Sequence, residues 1–314
     1  MTCNLRVEVA SDSGKPLPGA RVLVSKDVLV PQSPYPASNQ VRVDALTDNQ
    51  GIASTALDSV HAPEGAAISL DGYYVTTVSA AWEAPRGSDG KTRSAVIKAV
   101  LKPIKNPIAM HAGSMIGEPR RYIRIPVIDR EYGYDLLLCK PLPPLGDGLT
   151  ADFFFVLAGN YVKKGQYHLE LKVHFPNEGE GLFEFLTPQR WSMHEPTYTG
   201  SLLQSDHQAP EAGYVSSLIR TTTQEPGGSR QRETSPKRNF YFRCRTKFGP
   251  DGRIASVNYG KIYGDFDFCG GNPEKGYLAS FGWSCSYLNP NPNDRNVEFD
   301  TNRNLTSGIF VQWP

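Results

Sequence analysis

The chain lacks any apolar run of the about 18 to 20 residues that a membrane-spanning helix requires, so no transmembrane segment is expected. It also lacks a long segment with apolar residues at helical spacing, which argues against a helical core. Charge of one sign is missing too: 33 Lys and Arg stand against 32 Asp and Glu, a formal net charge of +1. No global field then attracts nucleic acid or an anionic membrane, and no nucleic-acid partner is expected. There is no basic, apolar leader. The chain opens Met1-Thr2-Cys3-Asn4 and enters a strand by Leu5, which fits a cytosolic protein or one whose secretion signal has been removed. Internal repeats and the Gly-x-Ser-x-Gly pattern of a nucleophile elbow are absent.

What is abundant points to strands and turns. Gly (29) and Pro (25) accompany many Tyr, Phe, Val and Thr, a balance that favours an all-β fold. At 314 residues the chain exceeds the size at which one core stops growing, so two domains are expected. Ser13-Gly14-Lys15-Pro16-Leu17-Pro18-Gly19 reads as paired turns feeding the strand Ala20-Arg21-Val22-Leu23-Val24. Thr47-Asp48-Asn49-Gln50-Gly51-Ile52-Ala53 and Asp71-Gly72-Tyr73-Tyr74-Val75 repeat that logic of turn followed by strand. Strands are expected near 4–10, 20–25, 51–56, 67–69, 73–80 and 94–101, with polar surface loops at 31–40 and 83–93. Lys102-Pro103-Ile104-Lys105-Asn106-Pro107 ends the last of these strands, because proline cannot donate into a ladder.

These motifs resemble the carboxypeptidase regulatory-like domain, a transthyretin-like β-sandwich that serves as an accessory module on secreted and cell-surface proteins. The resemblance covers roughly residues 4 to 102 and concerns the accessory sandwich, not the zinc peptidase. No His-x-x-Glu zinc pair occurs beyond residue 102, so peptidase activity does not follow. Intradiol dioxygenases share a similar sandwich, but their Tyr and His iron-ligand pattern finds no match here. The resemblance implies residues 1–102 as an accessory domain of Ig-like or transthyretin-like form, and a secreted, periplasmic or cell-surface location.

Residues 103–314 read as a second, larger β-sandwich of jelly-roll type, similar to a region of uncharacterised bacterial extracytoplasmic proteins that carries no known activity. Strands are expected at 122–127, 135–139, 150–158, 167–175, 181–185, 239–247, 254–266, 297–299 and 309–313. Tyr167 to Phe175 alternates cleanly, with Tyr, Leu, Leu, Val and Phe on the core side and His, Glu, Lys and His on the wet side. A long insertion rich in Ser, Thr, Gln, Gly and Pro, near 187–238, is expected to be irregular. Gly249-Pro250-Asp251-Gly252 is a hairpin turn.

Three constellations could carry chemistry. Asp294, Asn296, Glu298, Asp300 and Asn302 recur at every second position, and oxygen ligands at this spacing could surround calcium. The EF-hand pattern fails, since Phe299 stands at the glycine position and Leu305 at the glutamate position; a strand with a polar outer face is the plain alternative. Asp265 and Asp267 are expected on one strand face, able to hold a metal, share a proton or simply face solvent. Around them Tyr263, Tyr277, Trp283 and Tyr287, with Tyr259 and Phe281, could form a sugar-stacking surface or an ordinary core.

The five cysteines, Cys3, Cys139, Cys244, Cys269 and Cys285, are an odd number. Cys269 and Cys285 bracket a Gly-, Asn- and Pro-rich stretch whose closure by a disulfide would stabilise by roughly 3 kcal/mol; five reduced thiols are the alternative. His168 and His174 lie too far apart on a straight strand, at about 3.3 Å per residue, to share an ion unaided. His111, His194 and His207 fall in loops. Arg230, Arg232, Lys237, Arg238, Arg243, Arg245 and Lys247 make a locally basic region that could meet an acidic glycan or partner, a solvated basic face being the more common outcome. The sequence therefore points to a non-catalytic extracytoplasmic binding or structural protein with a protein or glycan partner. The rivals are a calcium-assisted carbohydrate-binding protein, and a polysaccharide hydrolase or lyase using Asp265, Asp267 or Glu298.

Overall fold

A computed structural model of the chain describes residues 2–29, 38–58, 65–80, 92–114, 122–187, 200–309, 311 and 314. The fold is all-β and sandwich-type, as composition predicts; the helical content among the described residues is one 3-10 turn, η1 (Pro273–Lys275). In chain order the first strands are β1 (Thr2–Ser11), β2 (Arg21–Leu29), β3 (Ser38–Leu46), β4 (Ile52–Asp58), β5 (Gly65–Ser69), β6 (Thr76–Ser79), β7 (Thr92–Leu101) and β8 (Ile108–Ser114). Next come β9 (Ile123–Ile125), β10 (Glu131–Asp135), β11 (Lys140–Pro141), β12 (Phe153–Lys163), β13 (Gln166–His174), β14 (Gly181–Leu186), β15 (Gly200–Ser201), β16 (Ser217–Gln224) and β17 (Gln231–Arg232). The last are β18 (Arg238–Phe248), β19 (Ile254–Tyr263), β20 (Asp267–Asn272), β21 (Tyr277–Gly282), β22 (Cys285–Leu288) and β23 (Phe299–Asn304).

The chain forms two compact units. The first comprises residues 1–105 with 188–204, the second 106–187 with 205–314. In the first unit the sheets run β4-β1-β7 and β15-β6-β5-β2-β3. Period-two alternation builds its core: Leu5, Val7 and Val9 of β1 and Ala95, Ile97 and Ala99 of β7 are buried with Val22, Val24 and Ile68 of the other sheet. The turn motifs lock together through Thr47, whose Oγ1 donates to Leu17 O at 2.6 Å and accepts from Ala20 N at 2.8 Å. Asp48 Oδ1 accepts from the amides of Gln50 and Ile52, and Gly51 closes the turn at φ +73°. A Cβ on Gly51 would stand 2.4 Å from Val9 O, so glycine is required there twice over.

The second unit contains the six-stranded sheets β11-β10-β12-β13-β16-β17 and β14-β18-β19-β22-β8-β23, and the three-stranded sheet β20-β21-β9. Its core is aromatic. Phe153, Phe155, Phe240, Phe242, Phe266, Phe268, Phe281 and Trp283 are buried, with Phe155 and Phe281 ring centroids 4.5 Å apart and Tyr134 edge-on to Trp283 at 4.7 Å. The alternation expected in β13 holds, with Tyr167, Leu169, Leu171, Val173 and Phe175 all buried.

Several sequence expectations are corrected. The strand expected at 254–266 ends at Tyr263, because Gly264 turns the chain at φ +82° and hands it to a different sheet; Asp265 and Asp267 therefore do not share a strand. The strand expected at 135–139 lies earlier, as β10. Asp135 Oδ1 gathers the amides of Leu137 and Leu138 at 3.0 and 3.1 Å, which makes a turn of the residues that follow. The insertion near 187–238 is not wholly irregular: β16 pairs with β13 along its length, its Leu218, Ile219, Thr221, Thr222 and Thr223 suiting a pleated surface. The last strand is Phe299–Asn304 rather than 297–299, and the strand expected at 309–313 lies largely outside the described residues. Cys269 and Cys285 are not at disulfide distance, and no other pair of the five cysteines is. The pair sits in two different sheets, Cys269 bonded to Ser280 Oγ and Cys285 buried at the start of β22, so no disulfide forms.

Candidate functional site

In the second unit the sheet β20-β21-β9 brings polar and aromatic side chains into one cluster. Its register sets Phe268, Phe281 and Ile123 side by side facing the core, which sends Cys269, Ser280 and Arg124 together to the other face. Cys269 Sγ and Ser280 Oγ are 3.2 Å apart. One step along, Asp267 Oδ1 takes a hydrogen bond from Arg230 and lies 3.7 Å from Arg232, while Oδ2 accepts from the Tyr122 hydroxyl at 3.2 Å. Arg124, exposed, sets its guanidinium 5.3 Å from the ring centroid of half-buried Tyr277.

Below this face the tyrosines are packed in place. Tyr161 and Tyr167 stack at 6.5 Å with planes 6° apart, and the Tyr161 hydroxyl donates to Gly271 O at 3.0 Å. The Tyr167 ring occupies the space a side chain at residue 270 would take: a Cβ on Gly270 would lie 2.3 Å from its Cδ1. Burial pushes the Tyr122 phenol above its ordinary range, and the negative charge of Asp267 and the hydrogen bond to it add to the shift, so Tyr122 remains a donor. Burial opposes the charge of Arg230, but the charge of Asp267 and the hydrogen bond to it, together with Cys269 and Tyr167, raise its pKa on balance, so it stays charged.

The residues singled out from sequence fall in several places. Asp267 and Tyr277 belong to this cluster. Asp265 is buried apart from it, its Oδ2 accepting from Arg238 Nη1 at 2.6 Å and Ser235 N at 2.8 Å; burial raises its pKa, against the opposing pull of those two partners. Trp283 is packed in the core beside Phe153 and Phe266. Tyr263 and Tyr287 are buried around Lys261, on the side of β19 opposite Ile262. The aromatic platform expected from Tyr259, Tyr263, Tyr277, Phe281, Trp283 and Tyr287 is therefore not formed, because all of these rings but Tyr277 are interior.

The calcium candidates do not converge either. Asp294 Oδ1 accepts from Asn296 N, Asn296 Oδ1 from Glu298 N and Asp300 Oδ1 from Asn302 N, all at 3.0 Å. The period of two is thus a series of Asx turns, each side chain capping the amide two residues on. Glu298 Oε2 accepts from Asn106 N at 2.8 Å, and Asp300 Oδ2 from Arg303 Nε at 2.6 Å. Among the described residues no group of three His, Cys, Asp or Glu side chains is placed to hold a metal. His174 pairs instead with Glu131 at 3.2 Å, and His168 with Thr223 at 2.8 Å.

Sequence reasoning missed Tyr122 beside Asp267, and the buried Lys261 between Tyr263 and Tyr287. Lys261 had a signal: it alternates with Tyr259 and Tyr263, which puts a cation on the aromatic face of its strand. Tyr122 had none, since only the pairing of β9 with β21 brings it near Asp267.

No family model and no curated protein matches the chain. One solved structure, a Bacteroides fragilis protein of unknown function provisionally described as membrane-associated, aligns over 93% of this chain and 98% of its own. Identity is 10% and the TM-score 0.17, a likeness too slight to carry fold or function. No helix among the described residues is long and apolar enough to cross a membrane.

Proposed function

We propose that this is a non-catalytic binding protein in which an accessory β-sandwich of regulatory-like type accompanies a larger sandwich, and that the β20-β21-β9 face is its ligand surface. The ligand class we assign is a glycan, an acidic one by preference. The observation that carries this reading is the arrangement on one small sheet of Arg124 over Tyr277 beside the Arg230–Asp267–Tyr122 group with Arg232. Tyrosine rings suit the apolar faces of sugar rings, and guanidinium groups recognise carboxylates and sulfates by charge-assisted hydrogen bonds. Asp267 accepts from or lies beside all three of its donors, so Arg124 and half-exposed Arg232 retain donor capacity for a ligand.

This reading is preferred over a hydrolase or lyase because Asp265, Asp267 and Glu298 each sit in a separate set of partners. It is preferred over calcium-assisted binding because the candidate ligands cap their own turns. A glycan-array screen with and without EDTA tests all three readings. Binding of acidic glycans that survives EDTA supports the proposal; binding lost in EDTA favours the calcium reading, and turnover of the glycan favours the enzyme. An extracytoplasmic location is expected from the accessory-module resemblance, and fractionation of the source cells tests it.

A further inference from the structure

We propose that Asp267 is a charge gate on the ligand face: its carboxylate occupies the anion receptor formed by Arg230, Arg232 and Tyr122, so the protein selects glycans with sparse acidic groups over dense polyanions. The inference rests on the glycan reading above and names the residue that sets its selectivity.

The receptor is assembled from two sheets of the second unit. Asp267 opens β20 on the outer face, since its neighbour Phe268 is turned to the core, and its partner across β21 is Gly282, which adds no side chain beside it. Arg232 comes to it from the short edge strand β17, Arg230 from the residue before that strand, and Tyr122 from just ahead of β9. Arg230 Nη2 donates to Asp267 Oδ1, Arg232 Nη1 stands 3.7 Å from the same oxygen, and the Tyr122 hydroxyl donates to Oδ2 at 3.2 Å. Two guanidinium groups and a phenol around one carboxylate are a donor set suited to the carboxylate or sulfate of a ligand. Here the carboxylate is the protein's own.

Charge decides what is left for a ligand. Among the described residues Arg230 makes its one hydrogen bond to Asp267, and its Nε is buried with no acceptor. Arg124 has no carboxylate partner among those residues, and Arg232, half exposed, lies too far from Asp267 for a hydrogen bond. A ligand with well-separated acidic groups therefore finds Arg124 and Arg232 available. A polyanion has to bring a further negative group up to Arg230, where it meets the Asp267 carboxylate. Arg230 and Asp267 are only 24% and 29% exposed, so solvent screens that repulsion weakly. A merely structural ion pair tying β17 to β20 behaves in the opposite way: removing its charge loosens β17 and weakens every ligand, whereas removing a competitor strengthens the most highly charged one.

The test compares two hexasaccharides by titration calorimetry on the full chain: galacturonic acid, with one carboxylate per ring, and heparin, which is densely sulfated. Wild type should bind the galacturonate at least as tightly as the heparin. Asp267→Asn, which keeps the shape and an acceptor for Tyr122, should tighten heparin binding about tenfold and galacturonate binding by less. Asp267→Ser, also uncharged, should show the same gain, so a fold defect particular to one variant does not decide the result. Adding Arg230→Gln to Asp267→Asn should cancel the gain, and Asp251→Asn, an equal change of net charge in the exposed β18–β19 hairpin, should produce none. Heparin affinity unchanged or weakened in both uncharged variants, a gain that survives Arg230→Gln, or an equal gain in Asp251→Asn overturns the role of Asp267 while leaving wild-type galacturonate binding, and with it the glycan reading, in place. No binding of either hexasaccharide to any of these proteins overturns both.

Discussion

Replacing Gly270 with alanine sets two effects against each other, and the structure decides the sign. Gly270 has no positive φ, so removing a strand glycine should on backbone entropy alone stabilise by roughly 0.5–1 kcal/mol. The new methyl carbon, however, would stand 2.3, 2.7 and 2.9 Å from Cδ1, Cε1 and Cγ of Tyr167. That ring cannot retreat freely, because Tyr161 is stacked on it with planes 6° apart. Overpacking of this kind costs about 1–3 kcal/mol, so the clash wins and Gly270→Ala should destabilise the second unit by a net of about 1–2 kcal/mol. For a unit of this size that is a fall of roughly 3–6 °C in melting temperature. In a Tyr167→Ala background the ring is gone, and the same substitution should become neutral or stabilising. Calorimetry of the four proteins reads the coupling directly. Equal destabilisation by Gly270→Ala in both backgrounds would refute the reasoning.

Three further outcomes follow from single residues. Thr47→Val strands the Leu17 carbonyl and the Ala20 amide in a buried turn and should cost the first unit roughly 2–4 kcal/mol, measured by denaturant titration. Burial first, and then the charge of Arg245, lowers the His111 pKa from 6.5, against the Leu137 hydrogen bond and Asp135, so the unfolded chain binds that proton more readily than the folded one. Its contribution is therefore present above pH 6.5 and lost as pH falls below it; His111→Gln should flatten the melting temperature between pH 7 and pH 5, and a wild-type slope in the variant would count against this assignment. Burial pushes the Cys139 thiol up to about 12 and Cys244 well above its usual value, so neither should be alkylated by iodoacetamide at pH 8 in the folded protein, as read by mass spectrometry.

The first unit was legible because its turns are written in residues that can do little else. Gly-Lys-Pro, Pro-Gly and Asp-Asn-Gln-Gly fix local φ values, and the strands between them alternate in the simple two-fold pattern. The second unit was legible strand by strand but not in its joins. Gly264 sits inside an unbroken run of strand-forming residues, and nothing local shows that it moves the chain to another sheet. β16 was hidden by its polarity, since Arg220, Thr221 and Gln224 look like loop residues until β13 pairs with them. The site suffered most from this. Asp267 and Tyr277 were found because they are close in sequence, whereas Tyr122 and Arg230 reach Asp267 only through β9 pairing and a side-chain ion pair. The Asp/Asn repeat misled for a physical reason: oxygens at every second position suit a cation and an Asx turn equally well, and only the fold shows the amides that receive them.

The most direct measurement of the central claim is the affinity of the best glycan from the array for wild-type protein, Arg124→Ala and Tyr277→Ala. Lys98→Ala, on the first unit, serves as the control. Loss of a charge-assisted contact or of the ring beneath it should weaken binding about tenfold or more in each site variant and leave the control unchanged. Binding that is equal in all four proteins, or no glycan bound at all, would contradict the account.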